Sequence, residues 1–290
     1  MDVTTVGDVM LDVRVDAGAL ARGGDVHGRV SIQPGGTSAN AAVWASWAGA
    51  KARVHARVGD DLAGRLLERE LHEHGVEPLL AIDASAPTGT MLVVHEAGER
   101  SMVADRGANA RLLPDDLPAR IASGAVLVSG YLLLQEEGHE AGMAALDRAD
   151  ATWIAVEAAS WPMVESFGVE RFFKDAERAN ILFANEREAH ALTGCEDEAA
   201  AKALGDRFRI AAVKLGARGA LLSFDGRLLT APAEPVVEVD PTGAGDAFDG
   251  VLLAELARGS EPEDALARAC HAGALVAAGA GAWPERGATS

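Results

Sequence analysis

Cysteine, lysine and long apolar runs are scarce in this chain, and each scarcity excludes something. Two cysteines, Cys195 and Cys270, stand in 290 residues with no metal-type spacing. That rules out a disulfide framework and fits reduced thiols in a cytoplasmic protein. The lysines are Lys51, Lys174, Lys202 and Lys214, and none precedes Ser or Thr, so the Gly-Lys-Ser/Thr phosphate loop is absent. Basic residues number 26 against 44 acids, a net charge of -18. Nucleic-acid backbones and anionic membrane faces are therefore repelled overall. Local phosphate binding stays open, because backbone amides hold anions without net charge. No run of about 18 apolar residues exists, so no membrane span is expected. The start, MDVTTVGDVM, has an early acid and no basic leader, unlike a secretory signal. His72 and His74 lie two apart on a predicted helix and face different ways, so they suggest no metal site.

What is present is an alternation. Strand-length apolar bursts (DVTTVGDV, KARVHARVG, AVLVSGYLLL, ATWIAVEAA, NILFAN, IAAVKLG) are separated by helical patterns such as ANAAVWASWAGA, DLAGRLLERELHEHG and EREAHALTG. GALLSFDGRLLTAPA reads as a hairpin turning at Asp225-Gly226. AFDGVLLAELARG and EPEDALARACHAGALVAAG read as two closing helices. The pattern predicts one α/β domain over residues 1–290, with a mostly parallel sheet covered by helices on both faces. Two segments break it. Residues 12–34 and 89–104 alternate polar and apolar, the second around Ala97-Gly98. Half-solvated strands of this kind predict a small separate sheet, a lid over one edge of the body.

The most informative stretch is VDPTGAGDAF, residues 239–248. Val236–Asp240 reads as a strand, Thr242 as a cap, and Gly243, Ala244 and Gly245 as a flexible bend before a helix beginning near Ala247. Free amides at a helix start stabilise negative charge. Asp246 beside them has a bland reading, simple stabilisation of the helix start. It also has a chemical one: phosphoryl transfer to an alcohol needs both an anion cradle and a carboxylate for the hydroxyl. A dinucleotide fingerprint would want glycine where Phe248 stands, and no HRD or DFG pair occurs.

DPTGAGDAF resembles the C-terminal signature of the PfkB, or ribokinase-like, carbohydrate kinase family, and PGGTSANAA at 34–42 resembles its N-terminal one. The resemblance covers nearly the whole chain. It implies a three-layer α/β/α sandwich with a β lid and an ATP- and magnesium-dependent kinase acting on a small sugar. It implies Asp246 as catalytic base, with an ordinary carboxylate pKa near 4, and Gly243, Ala244 and Gly245 as the anion hole. Asp12, Gly35, Gly36 and Asn40 would bind the sugar. Read without the family, Asp12 is a surface acid and Gly35-Gly36 a loop with Ser38 as helix cap.

NERE, residues 185–188, resembles the family's Asn-x-x-Glu motif, so Asn185 and Glu188 would reach magnesium through water; the local reading is a capping box. Lys214, Gly216 and Gly219 resemble a strand-end loop near the nucleotide. Residues 271–278 and the loop GAGAW would wall the adenine. Asp240 and Thr242 match positions that hold a monovalent cation, which makes potassium activation an expectation. Within ADRGANARL, Asn109 resembles a ribokinase sugar contact. Arg106 stands near where 2-keto-3-deoxygluconate kinases place an arginine for a carboxylate, or else faces solvent. Sugar, sugar acid and nucleoside thus remain open as acceptors. A non-catalytic sensor on the same fold is the rival from another class. Lid segments of relatives often make dimer contacts, so the resemblance implies a homodimer through the lid as an expectation.

Overall fold

The computed structural model describes residues 1–21, 23–96 and 99–288. The first elements are β1 (Asp2–Val6), β2 (Met10–Ala17), β3 (Arg29–Gly35), α1 (Thr37–Trp47), β4 (Lys51–Gly59), α2 (Leu62–Glu73), β5 (Val76–Asp83), β6 (Thr90–Glu96) and β7 (Glu99–Asp105). A nine-stranded sheet runs in the order Arg227–Ala231, Ala220–Phe224, Ile210–Lys214, Ile181–Asn185, Trp153–Glu157, Ala125–Val128, β1, β4, β5. All neighbours pair in parallel except the hairpin at the first edge.

Strand periodicity divides the core between the two faces. Ile181 and Phe183 join one cluster with Trp44, Leu67 and Phe248. Leu182 and Ala184 join the other with Leu133, Phe172 and Leu204. Buried on both sides, these strands are continuously apolar in sequence, as parallel strands are. α2 shows the helical counterpart: Asp61 accepts the Gly64 amide at 2.8 Å as N-cap, and Gly64, Leu67 and Leu71 form the buried stripe.

A second sheet of four strands, in the order β3-β2-β6-β7, stands apart from the first. Asp12 pairs with Gln33, and Arg14 lies two residues on, so all three share one face. The other face carries Val13, Val15, Val30, Ile32, Leu92 and Val103, by the registers Val13 with Ile32 and Leu92, and Leu92 with Val103. Val30, Ile32 and Val103 are 62%, 60% and 63% exposed.

Several local expectations change. AVLVSGYLLL is a strand only to Val128; Ser129 accepts the Tyr131 amide at 3.3 Å and starts a short helix, Gly130–Leu133. An unbroken apolar run does not separate strand from buried helix. Residues 236–240 form no strand. Val239 donates to the Ala277 carbonyl at 2.8 Å instead of a sheet edge, and Val237 is exposed. β5 and the helices His139–Arg148, Trp161–Phe167 and Val169–Asp175 had no clear sequence signal. The expected turn at Ala97-Gly98 lies outside the described residues.

Candidate active site

The parallel strands present their carboxyl ends at Val6, Val128, Glu157, Asn185 and Lys214, and the candidate residues collect there, as the topology of open α/β sheets favours. The helix carrying Asp246 runs Ala244–Arg258, beginning three residues before the expected Ala247. Ala244 and Gly245 are therefore helical, and only Gly243, at φ 87°, bends the chain. Gly243, not Thr242, is the N-cap residue; the Thr242 amide donates to Asp240 Oδ1 at 2.9 Å. The Ala244 amide donates to the Pro241 carbonyl at 3.1 Å, and the helical ladder starts with Ala247 to Gly243. The amides of Gly245 and Asp246 thus precede the first rung and lie at the positive end of the helix.

Asp246 is half-buried. Its Oδ2 accepts from Asn40 Nδ2 at 2.7 Å, while Asn40 Oδ1 accepts from Trp283 Nε1 at 2.7 Å. The indole fixes which end of the amide faces the acid. Burial pushes the Asp246 carboxyl up to about 6, against the Asn40 bond and the Lys214 charge, so the ordinary value near 4 does not apply here. Asp12 on β2 is likewise pushed up to about 6 by burial, with the charges of Asp246 and Asp240 adding to the effect. Its carboxylate lies against Gly35, where an added Cβ would come within 2.6 Å of it. Asp12 is thus no free surface acid. Gly36 precedes α1 as N-cap, and Ser38 sits inside that helix, not at its cap.

Asn185 and Glu188 form a reciprocal capping box. The Asn185 amide donates to Glu188 Oε2 at 2.8 Å, Asn185 Nδ2 to Oε1 at 2.6 Å, and the Glu188 amide to Asn185 Oδ1 at 3.0 Å. Burial raises the Glu188 carboxyl, with the Lys214 charge opposing. Each carboxylate oxygen keeps a lone pair for a further donor.

Lys214 ends its strand with Nζ 2.9 and 2.8 Å from the two oxygens of Asp249. Burial opposes its charge, but Asp249, Glu188 and Glu157 together hold its pKa above the usual lysine value. Lys214, Gly216 and Gly219 line a cleft of about 420 Å³, with Ala244, Gly245, Phe248 and Cys270 among its other walls. Gly273, Ala274 and Ala277 from the last helix complete it. The loop after that helix, expected there too, turns away: Ala282 O accepts from Trp44 Nε1 at 2.8 Å and Trp283 meets Asn40. Apolar walls with few polar groups suit a purine.

Two expected substrate contacts are otherwise engaged. Asn109 is buried, and its amide bonds the Val9 amide at 3.0 Å and the Val9 carbonyl at 2.9 Å. It holds the connection between β1 and β2. Arg106 Nη2 pairs with Asp8 at 2.7 Å, and Nη1 donates to Gln135 Oε1 at 3.0 Å and the Tyr131 carbonyl at 3.3 Å. It does not face solvent.

Sequence reasoning passed over Asp249, Glu157, Asp8 and Arg14. Asp249 is wholly buried three residues after Asp246, between Phe248 and the apolar run Val251–Ala254; an acid in such a stretch was the available signal. Glu157 ends a buried strand and accepts from Ser129 Oγ at 2.8 Å. Burial pushes it up to about 8, with Asp246 and Asp249 adding.

A family model described as pfkB family carbohydrate kinase matches residues 1–284. The chain belongs to that family. This carbohydrate kinase is 29% identical to a fructokinase of Klebsiella pneumoniae, over 96% of this chain and 94% of the relative. It is 31% identical to a 2-dehydro-3-deoxygluconokinase of Thermoproteus tenax, over 83% and 78%. Its fold superposes on an adenosine kinase of Sinorhizobium meliloti with a TM-score of 0.87 at 24% identity, covering 98% and 96%. Membership makes the kinase ATP-dependent and implies a divalent metal ion. Among its described residues no helix is long and apolar enough to cross a membrane.

Proposed function

We propose that this kinase transfers the γ-phosphoryl group of ATP to a primary hydroxyl of a small neutral sugar, with Asp246 as the base. One observation carries the reading. Ala244 and Gly245 line the apolar cleft, and the next residue, Asp246, is bonded to Asn40 at the start of α1. Nucleotide and acceptor would thus meet across consecutive residues of one helix turn. Asp246 accepts the acceptor hydroxyl and aligns it. Even at about 6 its pKa lies far below that of an alcohol, so the proton moves late and alignment does most of the work. The Gly245 and Asp246 amides meet the charge on the moving group. Glu188, supported by Asn185, would hold magnesium through its waters, and the ion would supply charge neutralisation at the phosphates. The second sheet, bringing Asp12 over Gly35, would exclude water as a lid.

The preference for a neutral acceptor rests on charge. Asp12 and Asp246, whose charges already act on one another, would face the acceptor, and Arg106, the candidate partner for a substrate carboxylate, already pairs with Asp8. A sugar acid would add charge where carboxylates already crowd. Ribose, fructose, adenosine and 2-keto-3-deoxygluconate, assayed in parallel with ATP and magnesium by ADP release, test this. Turnover confined to the sugar acid, or on none of the four, would overturn the acceptor assignment. The exposed valines and isoleucine of the second sheet would be covered by a second copy of the chain, in a cytoplasmic homodimer.

A further inference from the structure

Arg14 lies on β2, two residues beyond Asp12, on the sheet face turned to the active site. Its Nη2 pairs with Asp240 Oδ2, and its Nη1 donates to the Ala280 carbonyl at 2.8 Å. Gln33 of β3 donates to the same carbonyl at 3.0 Å. The ion pair is nearly closed to water, with side chains 12% and 7% exposed. Asp240 Oδ1 meanwhile orders the turn before the anion cradle through the Thr242 amide. The two oxygens that Arg14 bridges come from the loop entering the cradle and the loop leaving the last helix. A carboxylate and a carbonyl converging in this way are ligands for a hard cation. Here they hold a guanidinium carried by the chain itself. Asp240 was expected to contribute to a potassium site, and the arrangement does not fit one: the charge it would neutralise is already neutralised.

We propose that Arg14 takes the place of the monovalent cation at Asp240, so that this kinase works without potassium. The consequence is physical. A buried carboxylate that loses a cation paired with it is destabilised, and the truncated side chain leaves room for a replacement. Removing the guanidinium should therefore create a dependence that the natural chain lacks. Because Arg14 shares a strand with Asp12, the same contact ties the acceptor side of the lid to the cradle, which makes Arg14 a positioning residue.

Thermal unfolding of the natural protein and of Arg14→Ala, in potassium, sodium and choline chloride at equal ionic strength, is the first test. The natural protein should melt at the same temperature in all three salts. Arg14→Ala should melt lower in choline and recover part of the loss in potassium. ADP release with an accepted sugar is the second test. The natural rate should be flat in potassium, whereas Arg14→Ala should be slower on the order of tenfold and be rescued by potassium or millimolar guanidinium. Arg14→Lys should stay insensitive to the salt. Arg14→Gln keeps a donor for Ala280 without the charge and serves where the alanine variant does not fold; it should respond to potassium in the same way. The proposal is overturned if potassium activates the natural enzyme severalfold, or if folded Arg14→Ala or Arg14→Gln ignores potassium in both tests. The inference rests on the proposed site, but the melting test needs no acceptor. A potassium response there without turnover on any sugar would count against the acceptor alone.

Discussion

Asn40 Nδ2 donates to Asp246 Oδ2 at 2.7 Å across 206 residues of sequence, joining the start of α1 to the start of the Ala244–Arg258 helix. The bond holds one oxygen of the acid, and in the proposed reaction the other would receive the incoming hydroxyl. Asp246→Asn keeps the volume and removes the base. The expected result is a fall in kcat of about a thousandfold with ATP affinity nearly unchanged. Single-turnover rates with calorimetric ATP titration separate the two quantities, and ordinary turnover by this variant would remove Asp246 from the base's role.

Among the described residues, Lys214 is the cation whose charge lowers the pKa of all four acids, Asp246, Asp249, Glu157 and Glu188. The partners are therefore unequal. Lys214→Ala leaves several buried acids without compensation and should lose about 3 kcal/mol of stability. Asp249→Asn should lose less, since Glu188 and Glu157 still face the ammonium. Urea unfolding of the two variants checks the order. Equal losses would mean that Lys214 serves Asp249 alone.

How much of this could be read in the sequence follows from where each signal lives. The GAGD turn and the alternation of buried strands are local patterns, and both appear in the fold. The start of the Ala244 helix was misplaced because glycine reads as a breaker, whereas here only Gly243 leaves helical geometry. Asn109 and Arg106 were assigned as substrate contacts by resemblance, and their bonds to Val9 and Asp8, about a hundred residues away, were not legible. Arg14 was invisible for the same reason: Asp240 and Ala280 reach it only through tertiary structure. Long-range pairing of polar groups leaves no periodic trace.

Ile32 and Val30 stand exposed on the outer face of the second sheet, on one edge strand, and Val103 on the same face of the opposite edge strand. An apolar sheet face of this kind is unfavourable in water and would be buried by a second copy. Ile32→Glu should convert a dimer into a monomer in analytical ultracentrifugation. A natural chain that sediments as a monomer throughout the micromolar range would end the dimer proposal.

Glu157 offers a stability test free of activity. Its folded pKa of about 8 lies above the unfolded value of 4.5. The sign is that of a raised acid: the stability from its neutral form is complete below 4.5 and disappears as pH rises through 8. Glu157→Gln keeps an acceptor for Ser129 Oγ and cannot ionise. It should melt at nearly the natural temperature at pH 4.5 and several degrees higher at pH 9. Equal melting temperatures at pH 9 would mean that Glu157 ionises without penalty.

As the proposed base, Asp246 would need to be ionised to receive the hydroxyl proton, and burial places its pKa near 6. The active form is therefore populated above pH 6, and kcat/KM should fall as pH drops through 6, well before the usual carboxylate range. Asp12, also near 6, should steepen that limb if both acids must be charged. Asn40 lowers the Asp246 value by its hydrogen bond. Asn40→Ala should consequently shift the acid limb to higher pH, in addition to raising KM for the acceptor. A purely structural loss would lower the rate equally at every pH. The two outcomes are separated by the pH profile of kcat/KM for the natural enzyme and the variant; an unshifted limb would detach Asn40 from the charge on Asp246.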